Sequence, residues 1–162
     1  METESLPVAR FSSQDAGYIF DLLKSKNVCV LATQMKHGVH MSVVHYSVDD
    51  SFTVYFATKD GTRKHAHLQN DDALQLIMFD TTKQVEVCVD GRASEVQDGM
   101  VRTKIVNELY KIASRESNSA PPISKLYVGD YVAYAVRPTK ITAASFLDYK
   151  GGDSRIFKTL TF

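Results

Sequence analysis

The chain has 162 residues, 19 basic and 19 acidic, and no formal net charge at pH 7. That length suits one domain with a real core, and the balanced charge argues against a nucleic-acid binder working through a broad positive field. Two cysteines without a C-x-x-C exclude a disulfide scaffold or zinc ribbon and point to reduced thiols in a cytoplasmic protein. The polar start, Met1 to Pro7, lacks a hydrophobic signal region, and no apolar run is long enough to span a membrane.

Residues 1–11 read as a loose arm. Ser12 and Ser13 open a helix over 13–25, with Ile19, Phe20, Leu22 and Leu23 as its apolar face. Val28 to Thr33 is a strand apolar on both faces, hence central. After a turn at Lys36-His37-Gly38, Val39 to Val48 returns beside it, and Asp49-Asp50-Ser51 leads into a third strand, Phe52 to Ala57. Lys59-Asp60-Gly61 turns into a short helix, 62–69, capped by Thr62. Ala73 to Phe79 is the fourth strand and Gln84 to Val96 the fifth. Within the fifth, Asp90-Gly91 reads as a hairpin turn, with a glycine bulge in one long strand as the competing reading.

Asp98 caps a second long helix with an inner face of Val101, Ile105, Leu109 and Ile112. Ser114 to Ser124, with Pro121-Pro122, reads as a mobile loop and a candidate lid. Strands follow at 127–136 and 141–147, divided by Pro138. Gly151-Gly152 is a joint before a final short strand at Arg155 to Lys158. The sum is a mainly β fold (α+β by helix content): a six- to seven-stranded antiparallel split β-barrel with about three flanking helices.

The start of the 62–69 helix is electrostatically unusual. A helix N-terminus carries partial positive charge and unpaired N–H donors, so cations there are unfavourable. Here Thr62 is followed by Arg63 and Lys64. A strand, a glycine turn and a cationic helix start together form a cradle for a phosphate group, with a solvated basic turn as the plainer alternative. No nucleophile motif is visible. The histidines, His37, His40, His45, His65 and His67, show no zinc spacing, so no metal is expected. His40 and His45 fall on opposite faces of their strand, and His65 and His67 read as surface helix residues.

The segment Phe56-Ala57-Thr58, a turn, Thr62-Arg63-Lys64 and Leu68-Gln69-Asn70 resembles the phosphate-binding strand–turn–helix of the pyridoxamine 5′-phosphate oxidase-like flavin split barrels. Gln84-Val85-Glu86-Val87 to Gly91-Arg92-Ala93 is similar to that family's Gln-Val-x-Val…Gly-x-Ala strand, and Val30 to Thr33 and Ser42-Val43-Val44 also match. The resemblance implies a homodimer with FMN at the subunit interface. It implies that Thr58, Thr62, Arg63 and Lys64 surround the phosphate, that Ser42, Val43, Val44 and His45 line the isoalloxazine, and that Gln84 reaches the ring or ribityl chain. It also implies that Asp90-Gly91 is a bulge.

The family's C-terminal Arg-x-His substrate signature is missing, since Arg155 has no such histidine beyond it, and there is no Trp. The resemblance therefore points to the short general-stress flavin proteins: an FMN-dependent oxidoreductase acting on a small molecule, of unassigned substrate. The alternatives are a non-catalytic flavin-binding stress module, or a deazaflavin- or haem-binding split barrel.

Overall fold

The computed structural model describes residues 9–10, 13–117, 122–125, 129–146 and 157–162. Its elements are β1 (Ala9–Arg10), α1 (Ser13–Ser25), β2 (Val28–Met35), β3 (Gly38–Val48), β4 (Val54–Lys59), α2 (Arg63–Asn70), β5 (Ala73–Asp80), β6 (Val85–Glu95), α3 (Gly99–Ser117), β7 (Tyr131–Ser145) and β8 (Phe157–Thr161), with a 3-10 turn at Pro122–Lys125. The strands run in the order β1-β8-β7-β4-β3-β2-β5-β6, and β6 also pairs with β7. Six antiparallel strands, β2 to β7, thus close into a barrel, and β8 adds outside it, as the split-barrel reading expects.

Alternation decides which side chains fill the barrel. Leu31, Thr33, Tyr46, Phe56, Leu76, Val87, Tyr134 and Ile141 point inward and are buried. α1 closes one region through Ile19, Leu22 and Leu23, and the buried Tyr46 hydroxyl donates to the Leu23 carbonyl at 2.8 Å. α3 packs on the outer face of β4 and β7, where Ile105 and Leu109 meet Tyr55, Ala57 and Ala133. Cys29 and Cys88 are both free, on β2 and β6, which β5 separates.

Four sequence readings change. Ala9 and Arg10, inside the expected arm, pair in parallel with Lys158 and Thr159 of β8. α3 runs on to Ser117, through a region read as loop. Buried Ala113 extends its inner face, and Ser114 is accommodated because its hydroxyl bonds back to the Tyr110 carbonyl at 2.8 Å. Val101, expected inside, is instead exposed in the first turn.

The two expected strands around Pro138 are one strand, β7. On one edge, residues 131–136 pair with β4 and residues 140–144 with β8. Pro138 falls where that edge changes partners, so its missing N–H breaks no ladder there. Asp90-Gly91 is no hairpin, and the competing reading of one long strand with an irregularity there holds. β6 is continuous, and its register with β7 shifts there, with Asp90 facing Lys140 and Gly91 facing Pro138. The extra residue is Thr139, on the partner strand. Gly91 is required by close approach: a Cβ would come within 2.8 Å of the Arg137 carbonyl oxygen and of Val136 Cγ1.

The expected loop at 118–121, strand ends at Tyr127 and Leu147, joint at Gly151-Gly152, and Arg155-Ile156 lie outside the described residues.

Candidate functional site

The site is built at the β4–α2 turn. Thr58, the last inward residue of β4, is fully buried, and its Oγ1 lies 2.8 Å from Thr62 Oγ1. The Thr62 hydroxyl donates to the Lys59 carbonyl at 2.7 Å and accepts from the His65 N–H at 3.4 Å, capping α2 with extended backbone. Its one proton is committed to Lys59, so the threonine pair fixes the helix start. The N–H groups of Arg63 and Lys64, in the first helical turn, have no carbonyl within the helix to accept them.

Arg63 is exposed and Lys64 half-buried. Among the described residues neither has a carboxylate partner, whereas Lys26, Arg92, Lys140 and Lys158 all do. Burial lowers the Lys64 pKa. A cation left unpaired in a low-dielectric setting is costly unless an anion joins it.

α2 also turns its histidines inward, against the surface reading. His65 Nδ1 lies 2.8 Å from the hydroxyl of buried Tyr134, which also accepts from Gln69 Nε2 at 3.2 Å. His67 Nδ1 lies 3.1 Å from the hydroxyl of buried Thr33, and its ring meets His40 edge-on with centroids 5.4 Å apart. His40 and Ser42 are two apart on β3 and so share a face. His40 Nδ1 and Ser42 Oγ are both buried, and neither has a hydrogen-bond partner. Buried polar atoms in native proteins are nearly always satisfied, so an orphaned pair beside two unpaired cations marks a place for a ligand or water.

An apolar cleft of about 310 Å³ opens beside this turn. Its walls are Val43, Val44 and His45 of β3, Ala57 of β4, Val106, Leu109 and Tyr110 of α3, Ile123 of the 3-10 turn and Tyr131 of β7. Lys64 is the one lysine or arginine among the described residues that line it. α3 packs against β3, β4 and β7 yet leaves Val43 68% exposed at the cleft.

Of the sequence-predicted residues, the fold brings Val43, Val44, His45 and Lys64 to the cleft and gathers Thr58, Thr62 and Arg63 at the turn beside it. Gln84 is not brought there. It occupies the β5–β6 turn with φ of 50°, and its Nε2 donates to the Thr81 carbonyl at 2.6 Å. His40, Tyr110, Ile123 and Tyr131 were missed. The i, i+2 spacing of His40 and Ser42 was a signal for the first, while the other three arrive from elements remote in sequence. Among the described residues no group of three or more His, Cys, Asp or Glu is placed to hold a metal, and no helix is long and apolar enough to cross a membrane.

Comparison with known proteins gives no match among curated sequences. Solved structures of the same fold include a protein related to general stress protein 26 of B. subtilis (pyridoxinephosphate oxidase family) from Clostridium acetobutylicum. Its TM-score is 0.68 at 14% identity, over 93% of this chain and 96% of that one. A putative pyridoxamine 5′-phosphate oxidase from Listeria innocua has a TM-score of 0.61 at 17% identity, over 77% and 94% of the two chains. The FAD binding protein of Mycobacterium smegmatis has 0.57 at 21%, over 84% and 98%. The family model for pyridoxamine 5′-phosphate oxidase matches residues 18–144, most of the sequence, and the chain therefore belongs to that family.

Proposed function

We propose that this protein binds FMN and is a flavin-dependent oxidoreductase acting on a small molecule, working in the cytoplasm as a homodimer with cofactor where two subunits meet. The observation that carries the reading is a helix start whose two cations lack carboxylate partners, within electrostatic reach of the β3 face that carries the buried, partnerless His40 Nδ1 and Ser42 Oγ. A phosphate monoester supplies what those groups lack: dianionic charge and several acceptor oxygens. The N–H groups and side chains of Arg63 and Lys64 hold it, on a turn fixed by Thr58 and Thr62.

The apolar cleft suits a planar ring. Val43, Val44 and His45 of β3 contribute to its wall together with Tyr110 of α3 and Tyr131 of β7. Its volume is at the small end for a ligand site, so one subunit encloses only part of a flavin. The rest is supplied by a second copy packing on the exposed apolar face of β2, β3 and β5, and Gln84 enters from that copy. The family and the FAD binding protein among its structural neighbours support a flavin; the terminal phosphate fitted by the paired cations favours FMN over FAD.

Bound flavin supplies the redox chemistry. The chain's residues anchor the phosphate, orient the ring and exclude water. One observation favours a second reading, a flavin-binding stress-response module without turnover: among the described residues, the cleft lining contains no carboxylate or thiol.

The visible spectrum of the purified protein, with mass spectrometry of whatever denaturation releases, tests the assignment. A flavin spectrum and the mass of FMN are expected. A haem or deazaflavin spectrum would overturn it, and bound FMN with no oxidation of nicotinamide reductants would favour the carrier reading.

A further inference from the structure

We propose that His40 is an additional ligand for the phosphoryl group and that it takes up a proton from solvent as that group binds, so that binding tightens as pH falls through neutrality. This rests on the phosphate reading above and goes beyond it by naming a residue and a proton linkage.

The geometry supplies the argument. His40 Nδ1 is buried without a partner on the face of β3 that also carries orphaned Ser42 Oγ. The ring is held edge-on against His67 with centroids 5.4 Å apart. His67 is fixed in turn by Thr33, whose hydroxyl also lies 3.4 Å from the His40 carbonyl oxygen. His40 is thus positioned on two sides and unsatisfied at one nitrogen.

The charged and titratable groups around it come mainly from α2: Arg63, Lys64 and His67. Across the ladder β2 presents Thr33, which is uncharged. Lys36 and Asp71 lie further out, bordering a shallow groove with His67. Burial first, then Arg63, His67 and Lys64, push the His40 pKa down. The free protein therefore holds His40 neutral at pH 7. A phosphoryl dianion between Arg63 and Lys64 neutralises the charges that keep the proton off. It also gives imidazolium Nδ1–H an acceptor, so the same nitrogen gains a proton and a partner together. One proton crosses from solvent to the ring, and affinity rises by up to about tenfold per pH unit between the free and bound pKa values.

The test is an FMN titration of wild type, His40→Asn and His67→Asn between about pH 6.5 and 7.5, above the second pKa of a phosphate monoester near 6. Riboflavin, which lacks the phosphate, is titrated in parallel. Calorimetry in buffers of different ionisation enthalpy counts the protons. Wild type is expected to bind FMN several-fold more tightly at the lower pH with net proton uptake. His40→Asn should flatten both, His67→Asn should keep the uptake, and riboflavin should show neither. If His40→Asn retains the wild-type profile, or His67→Asn alone abolishes it, the His40 assignment is overturned while FMN binding stands. Equal affinity for FMN and riboflavin in wild type would overturn the phosphate reading itself, and this inference with it.

Discussion

Gly129 packs its bare α-carbon against the Asp60 carboxylate. A Cβ at Gly129 would overlap that carboxylate outright and come within 2.9 Å of the Gly61 nitrogen, and Gly129 has φ of +54°. Asp60 Oδ1 accepts from the Asp130 N–H at 3.0 Å, and the Asp60 N–H donates to the Asp130 carbonyl at 3.0 Å. The entry to β7 is thereby clamped onto the turn that starts α2. Gly129→Ala should destabilise the protein by at least about 1 kcal/mol from the left-handed backbone alone. It should also weaken FMN binding, because the turn carrying Arg63 and Lys64 must shift. Denaturant unfolding and an FMN titration read the two effects, and an unchanged FMN affinity would show that the clamp does not reach the site.

The outer face of β2, β3 and β5 is apolar and open. Met41 is 70% exposed and Val43 68%, with Val39, Ile77 and Phe79 nearby. The register sets Val30 between Val43 and Ile77, which makes the patch continuous. Val43→Asp would bury an unpaired charge if this face is the subunit interface, at a cost of about 3 kcal/mol or more, roughly a hundredfold in dimer dissociation. Sedimentation should show monomer, with FMN affinity falling alongside. A dimer that survives unchanged would place the interface elsewhere.

Asp80 is buried at the end of β5. It pairs with Lys26 at 3.0 Å and accepts the N–H groups of Thr82 and Lys83 at 2.9 Å each. The Lys83 N–H first, then Lys26, hold its pKa below the usual carboxylate value, against an opposing contribution from burial. Its folded pKa is lower than its unfolded one, so its stabilising contribution is complete above the unfolded value of about 3.9 and is lost as pH falls through the folded value. Acid unfolding of wild type should steepen in that window, and Asp80→Asn should flatten it. Superimposable profiles would remove Asp80 from the acid response.

Most of the barrel was legible because its signals are local. α1 was read at its observed bounds from the serines before it and its apolar spacing, and the first three strands alternate or run apolar between clear turns. The errors arose where long-range pairing overrides a local rule. Pro138 reads as a strand break but falls where β7 exchanges β4 for β8 on one edge. Asp90-Gly91 reads as a hairpin, yet β6 runs straight through because Thr139 on the neighbouring strand absorbs the register shift. At the site, the cationic helix start was visible because it violates the helix dipole. The orphaned nitrogen of His40 was not, since its surroundings depend on how α2 packs and brings His67 against the ring.

The most direct measurement compares FMN with riboflavin binding to wild type and to the Arg63→Ala/Lys64→Ala double variant. Charge-assisted bonds contribute about 1.5–3 kcal/mol each, so wild type should prefer FMN by roughly a hundredfold or more. The double variant should lose most of that preference while its riboflavin affinity stays nearly constant. Equal binding of the two ligands by wild type, or a preference for FMN that survives in the double variant, would contradict the assignment of this helix start to the cofactor's phosphate.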